Sequence, residues 1–180
     1  AVSRQKDVSR KLIRRDVQEA SLLNITPDNA EQMRRIYDFD RWLLGGVQNL
    51  ADNQRILLSN MANKDKNGKA QDLLTLAKMY MANDRGPEAL GFLEFALSEL
   101  PDLKDSPEFL ALRGGAAAIA GKYEMAFRDL FHPLLENYDE LDYWRSYNLA
   151  WLEDWRQAVE MMPEDFTVLV SYPKPLLAKL

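Results

Sequence analysis

Residues 114–122 read Gly-Gly-Ala-Ala-Ala-Ile-Ala-Gly-Lys, a composition close to that of a phosphate-binding loop. Such a loop has four residues between its glycines, and a Ser or Thr after the lysine ligates Mg²⁺. Here five residues separate Gly115 from Gly121, and Tyr123 follows Lys122. No strand-like run precedes the stretch. We therefore predict two helices that meet at Gly121, and no nucleotide site.

The polar stretch at residues 63–68 is a candidate calcium loop. Asn63, Asp65, Asn67 and Gly68 have the spacing of the first ligands of an EF-hand. The position that requires a bidentate glutamate is Leu74, and the first position is uncharged. These departures favour an ordinary Asn-Gly turn over a calcium site.

The remaining residues that could do chemistry indicate no reaction. His132 is the single histidine and the chain has no cysteine, so a zinc site of the usual ligand types is excluded. Carboxylates such as Glu136 and Asp139 are numerous, but no pattern places a pair of them in a pocket. We expect no catalytic residue, no metal and no cofactor.

Composition indicates a folded, mostly helical protein. Of the 180 residues, 47% are hydrophobic and 28% are charged, and good helix formers dominate. The net charge of −5 disfavours nucleic-acid binding. No apolar run reaches the ~18 residues of a membrane span, so we expect a soluble chain, cytoplasmic or periplasmic.

Charge is distributed unevenly along the chain. Residues 1–16 contain six cations and two acids, whereas residues 134–165 contain nine acids and two arginines. The simpler interpretation is that these runs are solvated helix faces. The alternative is electrostatic attraction between the two ends, within one chain or between copies, so a homo-oligomer stays open.

Several helices are expected before residue 70. Residues 1–26 hold a weakly amphipathic helix with Val8, Leu12, Ile13 and Val17 on its apolar side. Residues 27–66 are predicted to form a helical hairpin, with helices over 27–44 and 47–61, and a loop. Gly45-Gly46 would end the first of these helices.

The chain repeats itself after residue 70. Ala126 aligns with Ala89 at an offset of 37 positions, and Ala158 aligns with Ala126 at an offset of 32. A period in the thirties with two helices per unit predicts a helical solenoid. The units lie at about 70–103, 107–139 and 140–163 of the region 70–172, and residues 173–180 form a tail.

The first unit resembles the tetratricopeptide repeat (TPR) family. The positions that match its pattern are Leu73, Leu76, Ala77, Tyr80, Ala89, Leu93, Ala96 and Pro101. The second unit departs from the pattern at Arg113, Ala117 and Pro133, and Pro133 must interrupt its second helix. The sequences of the repeats resemble those of large bacterial TPR proteins of unassigned role.

This resemblance implies an all-α superhelix of helical hairpins, and a non-catalytic scaffold that binds a peptide or helix of a protein partner in a concave groove. The groove positions that it implies are Gln71, Leu74, Lys78, Met81, Glu108, Ala111, Gly115, Ala118, Tyr143 and Tyr147. We expect Leu74, Met81 and Ala118 to be more exposed than Leu76 and Leu93. The alternatives are a self-assembling structural module, or an accessory domain of a larger enzyme or envelope complex.

The aromatic cluster at residues 143–155 has two interpretations. Trp144, Trp151 and Trp155 recur at helical spacing, which predicts that most of them are core residues. Partner contact is the alternative, because Trp and Tyr are enriched at binding hot spots.

Overall fold

The computed structural model describes residues 35–180, and all regular secondary structure in this range is helical. The α-helices are α1 (Phe39–Trp42), α2 (Leu50–Met61), α3 (Lys66–Ala82), α4 (Gly86–Glu99), α5 (Pro107–Ile119), α6 (Tyr123–Leu130), α7 (Leu141–Trp151), α8 (Trp155–Met161) and α9 (Lys174–Leu177). Short 3₁₀ turns lie at Val47–Asn49, Pro101–Asp105, Pro133–Leu135 and Thr167–Ser171. The predicted all-α class is confirmed.

The helices from α3 to α8 pack as three consecutive hairpins. Each pair, α3 with α4, α5 with α6, and α7 with α8, is joined by a tight turn, and each hairpin packs against the next. The first helices α3, α5 and α7 also contact one another in sequence order. The small residues of the TPR pattern in the first hairpin, Ala77 and Ala89, are buried, as is Ala126 in the second.

The stretch at residues 114–127 is part of the second hairpin, as predicted. Ser106 begins α5 by accepting a hydrogen bond from Phe109 N, and α5 continues to Ile119. Gly121 makes the turn with φ +73°, a conformation that favours glycine. Tyr123 then begins α6.

The polar stretch at residues 63–68 begins a helix, so the predicted Asn-Gly turn is wrong. Asp65 is the N-cap of α3, and its carboxylate accepts a hydrogen bond from Gly68 N at 2.8 Å. A capping aspartate satisfies a backbone donor that otherwise lacks a partner. The helix therefore begins at Lys66, before the predicted start of the first unit.

The interruption predicted at Pro133 is present. Helix α6 ends at Leu130, and a 3₁₀ turn over Pro133–Leu135 follows. His132 caps this turn, because its Nδ1 accepts a hydrogen bond from Leu134 N at 3.3 Å. The single histidine thus has a structural partner at a helix end.

The helix predicted over residues 27–44 is wrong where it can be compared with the structure. Residues 35–38 are not helical, and only Phe39–Trp42 form a helical turn before Gly45 and Gly46. Tyr37 and Phe39 are both buried, whereas Asp38 and Asp40 are exposed. Residues two apart on a helix point about 200° apart, so a helix could not bury this pair on one side. The helix predicted within 1–26 lies outside the described residues.

The last residues belong to the packed structure. Val168, Tyr172 and Leu176 are buried in the same core as the hairpins. Lys179 Nζ also pairs with Asp84 Oδ1 at 2.6 Å, in the turn between α3 and α4. The predicted tail, residues 173–180, is therefore packed against the hairpins.

Candidate partner-binding groove

The first helices of the three hairpins share a face that residues 36–42 cover. We call this surface the first-helix face and define it by the residues that contact that segment: Lys78 on α3, Ala111 and Gly115 on α5, and Glu140 and Trp144 at the start of α7. We call residues 36–42 the aromatic segment. Its aromatic side chains, Tyr37, Phe39 and Trp42, are all buried.

Tyr37 occupies the centre of the face. Its hydroxyl donates a hydrogen bond to Ala111 O at 2.6 Å. A Cβ at Gly115 would lie 2.7 Å from Tyr37 Oη and would also collide with Met81 Cε. Gly115 therefore provides the space that the tyrosine ring fills. Burial of the hydroxyl raises the pKa of Tyr37, so Tyr37 stays a neutral donor.

Lys78 contacts the C-terminal end of the aromatic segment and is itself paired with Glu108. Lys78 Nζ lies 5.6 Å from the centre of the Trp42 ring and 2.5 Å from Glu108 Oε1. Lys78 is almost fully buried, so the carboxylate and the aromatic face replace water around its charge.

Glu140 holds the other end of the aromatic segment. Its Oε2 accepts hydrogen bonds from Ile36 N at 2.7 Å and from Tyr37 N at 3.3 Å. Its Oε1 accepts a third bond, from Tyr172 Oη at 2.9 Å. Burial raises the pKa of Glu140, and the hydrogen bonds from Ile36 N and Tyr172 Oη offset part of that rise.

The C-terminal residues close the site from the other side. Tyr172 accepts a hydrogen bond from Trp144 Nε1 at 3.1 Å, and its ring lies 4.7 Å from the Phe39 ring. The rings of Tyr37 and Trp144 are 5.1 Å apart. The aromatic segment is thus enclosed between the first helices and residues near Tyr172.

This arrangement corrects the expected exposure of the groove residues. Leu74, Met81 and Ala118 are 3%, 1% and 1% exposed, which is close to the 0% of Leu76 and Leu93. The expectation was wrong for all three residues, and beside Met81 the chain's own Tyr37 fills the groove at Gly115. Of the other positions, Ala111, Gly115, Lys78 and Tyr143 are buried, Glu108 and Tyr147 are half-buried, and Gln71 is exposed.

The third hairpin contributes different residues from those that the sequence indicated. Trp144 contacts the aromatic segment, whereas Tyr143 lies 5.6 Å from Phe166 and Tyr147 packs beside Tyr123 and Trp151. Whether any of the predicted positions contacts a partner stays a prediction.

The prediction that most of the tryptophans in residues 143–155 are core residues is wrong. Trp144 is buried, but Trp151 and Trp155 are 56% and 64% exposed. Trp151 is the last residue of α7, and its ring stacks on that of Tyr123 at 5.2 Å.

The aromatic segment, Glu140 and Tyr172 were not predicted as parts of a site. A usable signal was present in Tyr37-Asp38-Phe39-Asp40, because alternation of aromatic and acidic residues indicates an extended segment with one buried side. No local pattern marks Glu140, whose partner Ile36 is 104 positions away.

In residues 35–180, no cluster of three or more His, Asp or Glu side chains is placed to hold a metal ion. Over the same range no helix combines the length and the apolarity that crossing a bilayer requires. Comparison with protein-family models gave no match, and comparisons with curated proteins and with solved structures gave none. The resemblance to the TPR family therefore stays a prediction.

Proposed function

We propose that this chain is a non-catalytic interaction module in which TPR-like hairpins form an α-α superhelix and the first-helix face binds a peptide segment of a protein partner. The match of residues 70–103 to the TPR pattern supports the assignment of the hairpins as TPR-like. The consecutive packing of the hairpins, with contacts between successive first helices, supports the superhelix.

The strongest support for peptide binding is the way the aromatic segment lies on the first-helix face. It uses two backbone N–H groups, one side-chain hydroxyl and three buried aromatic rings, which are the contacts of a bound peptide. A surface that recognises such a segment within the chain has the chemistry to recognise a similar segment of another protein.

The partner segment that fits this chemistry is aromatic and partly extended. Tyr37 and Phe39 are two positions apart and enter the face together, and Trp42 follows after one helical turn. Asp38 and Asp40, which lie between the aromatic residues, are exposed. The face therefore buries only the aromatic side chains and does not select the residues between them. Lys78 and Glu108 would receive the tryptophan, and Glu140 the backbone at the other end.

The test separates the aromatic segment from the face that holds it. A protease site inserted between Gly45 and Gly46 lengthens a loop, which proteins tolerate well. After cleavage, a fluorescent peptide of residues 35–44 should exchange with the bound segment and give a saturable rise in anisotropy. The same peptide with Tyr37→Ala should bind much more weakly, because it lacks the ring that fills the space at Gly115.

Two protein variants provide the matched comparison. Gly115→Ala should abolish peptide binding, because the added Cβ occupies the space of Tyr37 Oη. Gly91→Ala, where an added Cβ meets nothing within 4 Å, should bind as the wild type does. Unfolding of the cleaved chain, or binding that is insensitive to both Tyr37→Ala and Gly115→Ala, would contradict a peptide-binding face.

A further inference from the structure

The last hairpin has an uncovered apolar stripe on its second helix. Trp155 and Val159 are 64% and 75% exposed, and Met162, whose Sδ lies 3.9 Å from Ser146 Oγ, is 47% exposed. They follow one another at intervals of four and three positions, so they share one side of α8 and the residue after it. We call this surface the terminal stripe.

The packing of the other hairpins shows why the stripe is unusual. Helices α4 and α6 each pack against the first helix of the following hairpin. After α8, residues up to 180 return towards Trp144 and Asp84 and leave the stripe uncovered within the described range. The ends of a helical array normally carry a polar outer face, because an apolar end would associate.

The surroundings of the stripe are acidic. Residues 151–166 contain Glu153, Asp154, Glu160, Glu164 and Asp165 against Arg156, a net charge of −4. The single arginine is already paired, because Arg156 Nε lies 3.1 Å from Glu160 Oε1. A segment that covers the stripe should therefore be apolar on one side and basic on the other.

We propose that residues 4–17 of the same chain bind the terminal stripe. These residues contain six cations and two acids, a net charge of +4, and the apolar residues Val8, Leu12, Ile13 and Val17. The described chain begins next to the same hairpin, because Ile36 N is bonded to Glu140 at the start of α7. Residues 18–34 can extend over about 55 Å, which exceeds the combined length of α7 and α8, ~27 Å, that separates the start of α7 from the far end of α8 along the helices.

Hydrogen–deuterium exchange on the full chain tests this inference. In the wild type at low salt, amides of residues 4–17 should exchange more slowly than the same amides in a synthetic peptide of residues 1–20. Val159→Glu places a carboxylate in the stripe and should return residues 4–17 to the rate of the peptide. High salt should reduce the protection, because exposed charges are screened.

Val170→Glu is the matched control. Val170 is 84% exposed and lies in the turn Thr167–Ser171, so the same change adds the same charge outside the stripe. It should leave the protection of residues 4–17 unchanged. Because Val159 is itself 75% exposed, neither variant should unfold the hairpins, which circular dichroism verifies.

Three results would overturn the inference. Residues 4–17 of the wild type could exchange as fast as the free peptide. Their protection could persist in Val159→Glu. Protection that grows with protein concentration, together with a dimer in light scattering, would identify a second copy as the occupant. None of these results bears on the peptide-binding face, which the cleavage experiment tests separately.

Discussion

At the scale of single residues, Glu140 connects the two ends of the described chain. One carboxylate oxygen accepts from the backbone of residues 36 and 37, and the other accepts from Tyr172 Oη. A buried carboxylate is costly unless donors surround it, and here donors from two distant segments do so. The aromatic segment and Tyr172 are therefore held by the acceptor oxygens of one side chain.

The pH dependence of stability should report this site. Burial raises the pKa of Glu140 in the folded chain, so the folded state holds a proton that the unfolded state releases. Between the usual glutamate pKa of ~4.3 and the raised value, the free energy of unfolding should fall as pH rises. Glu140→Gln should remove this slope, which urea unfolding at a series of pH values measures.

Glu160→Gln is the control for Glu140→Gln, because it neutralises an exposed carboxylate and should leave the slope in place. The opposite slope, with wild-type stability rising with pH relative to Glu140→Gln, would contradict the prediction. It would show that the hydrogen bonds from Ile36 N and Tyr37 N outweigh burial.

At the scale of helices, local patterns predicted the hairpins well. The repeated alanines and Gly121 in the turn are local signals, and each specifies one helix or turn. The break at Pro133 was predictable for the same reason, since a proline removes a helical hydrogen bond regardless of the rest of the fold.

A local pattern indicates an extended aromatic segment, but no local pattern indicates what the aromatic segment and the C-terminal residues pack against. Their conformations are set by distant contacts, such as Tyr37 with Ala111 and Phe39 with Tyr172, which no pattern within ten residues encodes. The exposed side of α8 was missed for a related reason. Helical spacing marks Trp155 as one of an apolar set, but only the packing determines whether another helix covers it.

A substitution at a small core residue should test the packing within the first hairpin. Ala89 is fully buried in α4, so Ala89→Leu should overpack the core and lower the free energy of unfolding by ~1–3 kcal/mol. Ser98→Leu adds a leucine to the exposed side of the same helix and should change stability little. Equal urea midpoints for Ala89→Leu and the wild type would show that this interface has room for a larger side chain.

At the scale of the whole molecule, the aromatic segment contacts all three hairpins. Trp42 packs on Lys78 of the first, Tyr37 bonds to Ala111 of the second, and Phe39 lies 6.2 Å from Trp144 of the third. In a simple helical array each unit contacts only its neighbours, so the units can unfold in separate steps. A segment that contacts all of them couples the first hairpin to the third.

This coupling predicts the cooperativity of unfolding. In the wild type, urea transitions followed by tryptophan fluorescence and by far-UV circular dichroism should coincide, because both ends of the array unfold together. Three of the four tryptophans, Trp144, Trp151 and Trp155, lie in the third hairpin, so fluorescence mainly reports that end. Tyr37→Ala combined with Phe39→Ala should lower stability and also separate the two transitions.

Phe95→Ala is the control for this double variant, because it removes a ring that is 51% exposed and lies on α4, outside the aromatic segment. Its two transitions should coincide as those of the wild type do. If the double variant is less stable but its transitions still coincide, the contacts between neighbouring hairpins are sufficient for cooperativity. The aromatic segment would then stabilise the first-helix face without coupling the ends of the array, and its loss would leave a folded module with an open groove.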